Sequence, residues 1–62
     1  MKYSELERKI KPFGCRWYED GSKHPIWISP ITGNKFAMSY HKSEEVKSGT
    51  LKSILKLAGV KL

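Results

Sequence analysis

The sequence predicts an α+β domain with the element order α-β-β-β-α, in which two helices cover one face of a three-stranded antiparallel sheet. Apolar residues recur at helical spacing near both ends of the chain, and short segments rich in aromatic and β-branched residues lie between them. Turn-forming residues separate those segments, and packing both helices on one sheet face suits that order. A chain of 62 residues has room for one core, so we expect one domain, residues 1–62.

The first predicted helix spans roughly residues 5–12. Its apolar positions follow helical spacing: Leu6, Ile10 and Phe13. Gly14 is suited to end it. The segment SELE has the pattern of a capping box, in which Ser4 accepts from the Glu7 backbone N–H and the Glu7 carboxylate reaches back to Ser4.

Three segments predict strands: CRWYE at 15–19, HPIWIS at 24–29 and KFAMS at 35–39. The dipeptide Asp20-Gly21 is suited to a tight hairpin turn between the first two. Pro25 cannot donate to a sheet ladder, so it predicts an edge position or a bulge in the second strand. The segment SPITGN is dense in turn residues and precedes the third strand.

The C-terminal helix has the clearest pattern in the chain. Its apolar residues follow the i, i+3, i+4, i+7 rule: Leu51, Ile54, Leu55 and Ala58. Gly59 is expected to close the helix, and Ser48 or Gly49 is expected to cap its start.

The charge balance indicates a polyanionic partner. Twelve Lys and Arg residues against six Asp and Glu residues give a formal net charge of +6 and a pI near 9.7. This excess favours nucleic acid, an acidic protein or an anionic membrane, although many small domains are simply basic. No apolar run suits a signal peptide or a membrane span, and one cysteine fits a reducing compartment, so we expect a soluble cytoplasmic protein.

Missing motifs exclude several enzyme classes. The sequence has no P-loop, no dinucleotide fingerprint and no paired aspartates suited to magnesium. Cys15 lies in an apolar and aromatic segment, which favours a buried filler over a nucleophile. No Cys and His cluster has the spacing of a zinc site, so we expect neither a metal nor a cofactor.

The segment GSKHPIW carries the leading candidate for chemistry, His24. An imidazole has a reference pKa of ~6.5, and RNA carries its own nucleophile, the 2′-hydroxyl. One proton-transfer group beside a held phosphate can therefore cleave RNA without metal. Gly21 and Ser22 let the backbone approach and donate to that phosphate, and Lys23 adds positive charge.

Two considerations oppose a catalytic His24. A lone histidine at the start of a strand is more often a solvated or hydrogen-bonded residue. Strict alternation also places His24 on the face of Ile26 and Ile28, which is the expected core face, unless the strand start overhangs the helices or bulges at Pro25.

Aromatic and basic residues add a binding hypothesis. Four aromatic residues are candidates for base stacking: Trp17, Tyr18, Trp27 and Tyr40. At least two should be core, Trp27 is expected to pack, and Tyr18 and Tyr40 stay open. Lys47 and Lys52 could follow a phosphate backbone, or serve solubility alone. From these residues alone, an RNA-binding module without chemistry and a partner of an acidic protein stand beside a nuclease.

The segments GSKHPIW, SPITGNKF and KSEEVKSGTLKSILKLAGV together resemble the HicA toxins of bacterial type II toxin–antitoxin pairs, over essentially the whole chain. The resemblance implies a fold like a double-stranded-RNA-binding domain and metal-independent cleavage of mRNA that arrests translation and growth. It implies His24 as the catalytic histidine and a cognate HicB-type antitoxin as partner, with DNA contacted only through that antitoxin. The family often has proline where this chain has Ser39, which puts any role of His41 in doubt; we interpret His41 as structural or as a secondary RNA contact.

Overall fold

The computed structural model describes residues 1–62 and has the predicted element order. The helices and strands are α1 (Tyr3–Ile10), a 3-10 turn (Lys11–Phe13), β1 (Arg16–Asp20), β2 (Pro25–Ile28), β3 (Lys35–Ala37) and α2 (Ser48–Ala58). The strands form one antiparallel sheet in the order β1-β2-β3, so β2 is central. The predicted α+β class, with both helices on one sheet face, is confirmed.

The core lies between that sheet face and the two helices. Eleven buried apolar residues form one cluster: Tyr3, Leu6, Ile10, Cys15, Trp27, Phe36, Met38, Val46, Ile54, Ala58 and Val60. Trp27 of β2 lies opposite Phe36 of β3 in the sheet register. The expected packing of Trp27 and the expected burial of Cys15 are both confirmed.

Helix α1 begins and ends earlier than predicted, and the capping box is wrong. Ser4 lies inside the first turn, where its backbone N–H donates to the Lys42 carbonyl, and the Tyr3 N–H donates to the Glu44 carbonyl. The Glu7 carboxylate pairs with the Lys42 ammonium instead of reaching back to Ser4. A neighbouring segment of the chain thus satisfies N–H groups that a side-chain cap would otherwise serve.

The end of the predicted helix is a 3-10 turn. Phe13, expected on the apolar face, lies in this turn and is exposed. Gly14 ends the turn with a φ of 93°, a left-handed conformation that glycine adopts without strain. The prediction that Phe13 lies on the buried helix face was therefore wrong, because the helix has already given way to the 3-10 turn at this position.

The second strand differs from its prediction in two ways: it is the central strand, and the opposite set of side chains faces the core. Pro25 is the first residue of the central strand, where no ladder donor is lost, and the irregularity in register lies in β1 between Trp17 and Glu19. Trp27 faces the helices, and Ile26 and Ile28 lie half-buried on the other face. The core face predicted for β2 was therefore wrong, because the bulky indole takes the covered side.

Helix α2 starts at Ser48, with Lys47 as the capping residue in place of Ser48 or Gly49, and Gly59 closes it as predicted. The loop between β2 and β3 holds its last carbonyls. Ser29 Oγ donates to the Ala58 carbonyl at 2.6 Å, and Thr32 Oγ1 donates to the Leu57 carbonyl at 2.6 Å. These bonds fix the end of α2 to the loop at the opposite end of β2 from the β1–β2 loop.

Replacing Gly59 by alanine is expected to destabilise the fold more than replacing Gly33. Both glycines have positive φ, 69° and 74°, so each substitution carries a left-handed penalty of roughly 1–2 kcal/mol. A Cβ at Gly59 would also lie 2.7 Å from Thr32 Cγ2, whereas one at Gly33 meets nothing within 4 Å. Urea denaturation of the two variants measures the difference, and equal losses would show that the contact at Gly59 relaxes freely.

Candidate active site

His24 lies on the loop between β1 and β2. The Gly21 N–H donates to the His24 carbonyl at 3.0 Å, which closes a tip made of Ser22 and Lys23. Asp20 pairs with Pro25 in the ladder, so the turn lies two residues beyond the predicted Asp20-Gly21 dipeptide. The His24 side chain is exposed and makes no hydrogen bond within the chain. It therefore lies outside the core, beyond the end of the strand.

Gly21 is required by a close approach within this loop. A Cβ at this position would lie 2.5 Å from the His24 carbonyl oxygen, which is backbone and cannot swing away as a side chain would. The Gly21 N–H is already bonded to that carbonyl, so of the two predicted phosphate donors, Gly21 and Ser22, only Ser22 keeps a free N–H. Gly21 thus sets the backbone position of His24.

Tyr40, which follows β3, anchors the same loop. Its hydroxyl donates to the Gly21 carbonyl at 2.9 Å. Loss of hydration raises the pKa of Tyr40 above its ordinary value of 10.0, and the Asp20 carboxylate nearby raises it further. The hydroxyl is therefore a protonated donor at neutral pH. Asp20 in turn accepts from the Trp17 indole Nε1–H at 3.0 Å.

Sequence reasoning missed Asp20 as a member of the site and left Tyr40 open. Tyr40 is separated from Gly21 by 19 positions, and no local pattern links the two residues. The only signal in the sequence was that residue 40 is aromatic, which does not identify the group that its hydroxyl contacts.

His41 occupies a turn that Ser39 organises. The buried Ser39 hydroxyl accepts from the His41 N–H at 3.0 Å and donates to Glu44 Oε1 at 3.0 Å. The His41 imidazole is exposed and makes no hydrogen bond within the chain. Ser39, the position where the resemblance leads one to expect proline, therefore has a defined structural role after β3.

A cleft of about 400 Å³ lies beside the loop, and we call it the Trp17–Tyr40 cleft. Its walls include Trp17, Asp20, Trp27, Tyr40, Lys11 and Lys42. Tyr18, the other open aromatic residue, lies on the opposite sheet face, where Lys35 Nζ is 4.1 Å from its ring centroid. Of the two open aromatic residues, only Tyr40 belongs to the neighbourhood of His24.

The predicted phosphate contacts on the last helix are separate from the loop. Lys47 precedes α2 and Lys52 lies in its second turn, and both side chains are exposed. Neither forms a hydrogen bond or salt bridge with residues 21–24. No group of three or more His, Cys, Asp or Glu side chains has an arrangement that could hold a metal ion.

Comparison with protein families shows which family the chain belongs to. The family model described as HicA toxin of bacterial toxin-antitoxin matches residues 3–60. The chain belongs to the HicA toxin family. Membership of this toxin family implies a cognate antitoxin as its partner. Searches of curated proteins and of solved structures found no significant match.

This HicA chain contains no helix with the length and apolar character needed to cross a membrane. The match starts at the first residue of α1 and ends two residues after Ala58, so it includes every helix and strand. The residues of the His24 loop and of the Trp17–Tyr40 cleft therefore all lie within the family domain.

Tyr40→Phe is expected to loosen the His24 loop of this HicA protein without unfolding it. The change removes the donor to the Gly21 carbonyl and keeps the ring. Hydrogen exchange followed by NMR should show faster exchange of the Gly21 N–H. Tyr18→Phe is the matched control, because the Tyr18 hydroxyl makes no hydrogen bond and the residue lies on the other face. Unchanged exchange in Tyr40→Phe would contradict an anchoring role.

Proposed function

We propose that this HicA toxin is a metal-independent endoribonuclease that cleaves mRNA, with His24 as its proton-transfer group. One observation carries the proposal: the exposed imidazole of His24, without a partner in the chain, projects from a loop whose backbone is fixed at Gly21. A free imidazole on a fixed backbone is suited to general acid or base chemistry, because its ring nitrogens are available to a substrate. Cleavage of mRNA in the cytoplasm would arrest translation and growth.

The reaction uses atoms that RNA itself supplies. The 2′-hydroxyl oxygen attacks the adjacent phosphorus, the bond from phosphorus to the 5′-oxygen breaks, and a 2′,3′-cyclic phosphate and a 5′-hydroxyl result. In the proposal His24 either takes the proton of the 2′-hydroxyl or gives one to the leaving 5′-oxygen, with water exchanging the other proton. No electron donor and no metal enter this balance.

Positive charge near the loop supports the proposal. Lys23 lies at the exposed tip next to His24, where its ammonium would stabilise charge that develops on the phosphate. The Ser22 N–H would add a neutral donor. Lys47 and Lys52 are exposed near the start of α2, where they would hold more distant phosphates of the RNA. The net charge of +6 favours encounter with such a substrate.

The implied antitoxin would act by covering the His24 loop. The loop tip is exposed, and a protein that shields the imidazole from RNA would block the chemistry without changing the fold. In the free toxin the basic surface meets RNA, and in the complex the antitoxin competes for it.

His24→Ala is expected to lower the rate of RNA cleavage by about 10²–10⁴-fold, the usual contribution of one proton-transfer group. The assay uses a mixed-sequence RNA in excess EDTA, and circular dichroism checks the fold. His41→Ala is the matched control, since it removes the other exposed histidine and should keep the parental rate. Equal rates for the parent and His24→Ala would refute the assignment. RNA bound by the parent without any product would instead favour a non-catalytic RNA-binding module.

Gly21→Ala is expected to lower cleavage by about 100-fold, because displacement of a reacting group by about 1 Å has that effect. The added Cβ forces the His24 carbonyl away from its position 2.5 Å distant. Gly49→Ala is the control, since a Cβ there meets nothing within 4 Å and alanine favours the helix. Parental cleavage by a folded Gly21→Ala variant would show that His24 does not depend on this contact.

A further inference from the structure

The Trp17–Tyr40 cleft has two aromatic rings whose polar edges are fixed and whose surfaces are uncovered. Trp17 is 54% exposed and Tyr40 is 47% exposed. The indole N–H of Trp17 is held by Asp20, and the Tyr40 hydroxyl is held by Gly21. Because these bonds already order both side chains, little conformational entropy remains to be lost when a flat ligand stacks on them.

The position of the cleft links it to the His24 loop. Tyr40 contributes a wall of the cleft, and its hydroxyl bonds to the residue whose N–H closes the loop onto His24. Lys11 and Lys42 also line the cleft, and because Lys42 is paired with Glu7, Lys11 is the cation available to a phosphate. A volume of about 400 Å³ lies within the range of roughly 300–1,000 Å³ that is usual for small-ligand sites.

We propose that the Trp17–Tyr40 cleft binds one unstacked base of the single-stranded RNA substrate. The proposal rests on the ribonuclease function given above. Single-stranded RNA is recognised by stacking its splayed bases on aromatic side chains, with basic residues holding the flanking phosphates. The cleft combines these two features next to the β1–β2 loop, whereas the isolated Tyr18 on the opposite face does not.

Asp20 gives the cleft a means of selecting the base. Its Oδ1 accepts from Trp17 and the carboxylate also interacts with the Tyr40 hydroxyl, but a carboxylate has about four lone-pair sites and can still accept from a further donor. A carboxylate accepts from the exocyclic amino group of cytosine. Uracil has a carbonyl oxygen at that position, which a carboxylate repels. The cleft should therefore prefer cytosine to uracil, two bases of nearly equal size.

The test measures binding of hexacytidylate and hexauridylate to the His24→Ala protein, in which the RNA stays intact. Stacking of a base contributes ~1–3 kcal/mol, so Trp17→Ala and Tyr40→Ala should each weaken hexacytidylate binding by about 5- to 150-fold. Tyr18→Ala is the matched control, since Tyr18 is 46% exposed but faces away from the cleft, and it should change affinity less than about 2-fold.

Two further variants test stacking and base selection separately. Trp17→Phe keeps a stacking surface while losing the bond to Asp20, so it should retain most of the affinity that Trp17→Ala loses. Asp20→Asn keeps an oxygen for Trp17 but replaces the second acceptor by a donor, so the preference for cytosine over uracil should disappear. Circular dichroism of each variant confirms that its fold is retained.

Unchanged affinity in Trp17→Ala and Tyr40→Ala would overturn the cleft proposal, and if His24→Ala still abolished cleavage the ribonuclease would stand. Absence of any RNA binding would overturn both proposals. The NMR signal of the Trp17 indole N–H provides a second test. A chemical-shift change on adding hexacytidylate would support base binding in the cleft. A change only on adding the antitoxin would assign the cleft to protein binding and overturn the proposal.

Discussion

The burial of Trp27 determines which side of the sheet carries the core, and most of the other placements follow from it. The indole lies on the central strand, opposite Phe36, beneath the helices. Because side chains alternate along a strand, Ile26 and Ile28 must face away. The covered part of this strand begins at Pro25, and His24, which precedes it in the loop, is exposed. Truncation of a buried tryptophan typically costs about 3–5 kcal/mol, a large fraction of the stability of so small a domain.

The segment from Ser39 to Val46 has no helix or strand of its own, yet it connects three parts of the molecule. Its carbonyls accept from the first turn of α1, and Tyr40 reaches the β1–β2 loop. Lys42 pairs with the largely buried Glu7 of α1. A segment with so many partners serves as structure although it is irregular, since its polar groups are satisfied by distant residues.

The parts of this fold that could be predicted from sequence are those that depend on neighbours along the chain. The apolar spacing of α2 and its closing Gly59 gave that helix nearly in full. The start of α1 could not be predicted, because the distant carbonyls of Lys42 and Glu44 accept from the N–H groups of its first turn. In the candidate site, motif and resemblance singled out His24, whereas the bond from Tyr40 to Gly21 joins distant positions and left no pattern.

The small core has a consequence for how the chain can change over generations. Only 15 of 62 residues are buried, so about three quarters of the positions are at least partly open to solvent. Most substitutions at such positions alter stability by less than about 0.5 kcal/mol. A toxin built this way has wide latitude to vary its surface in step with its antitoxin, while a few fixed contacts around the loop keep one geometry. Divergence between toxin–antitoxin pairs can then proceed without passing through unfolded intermediates.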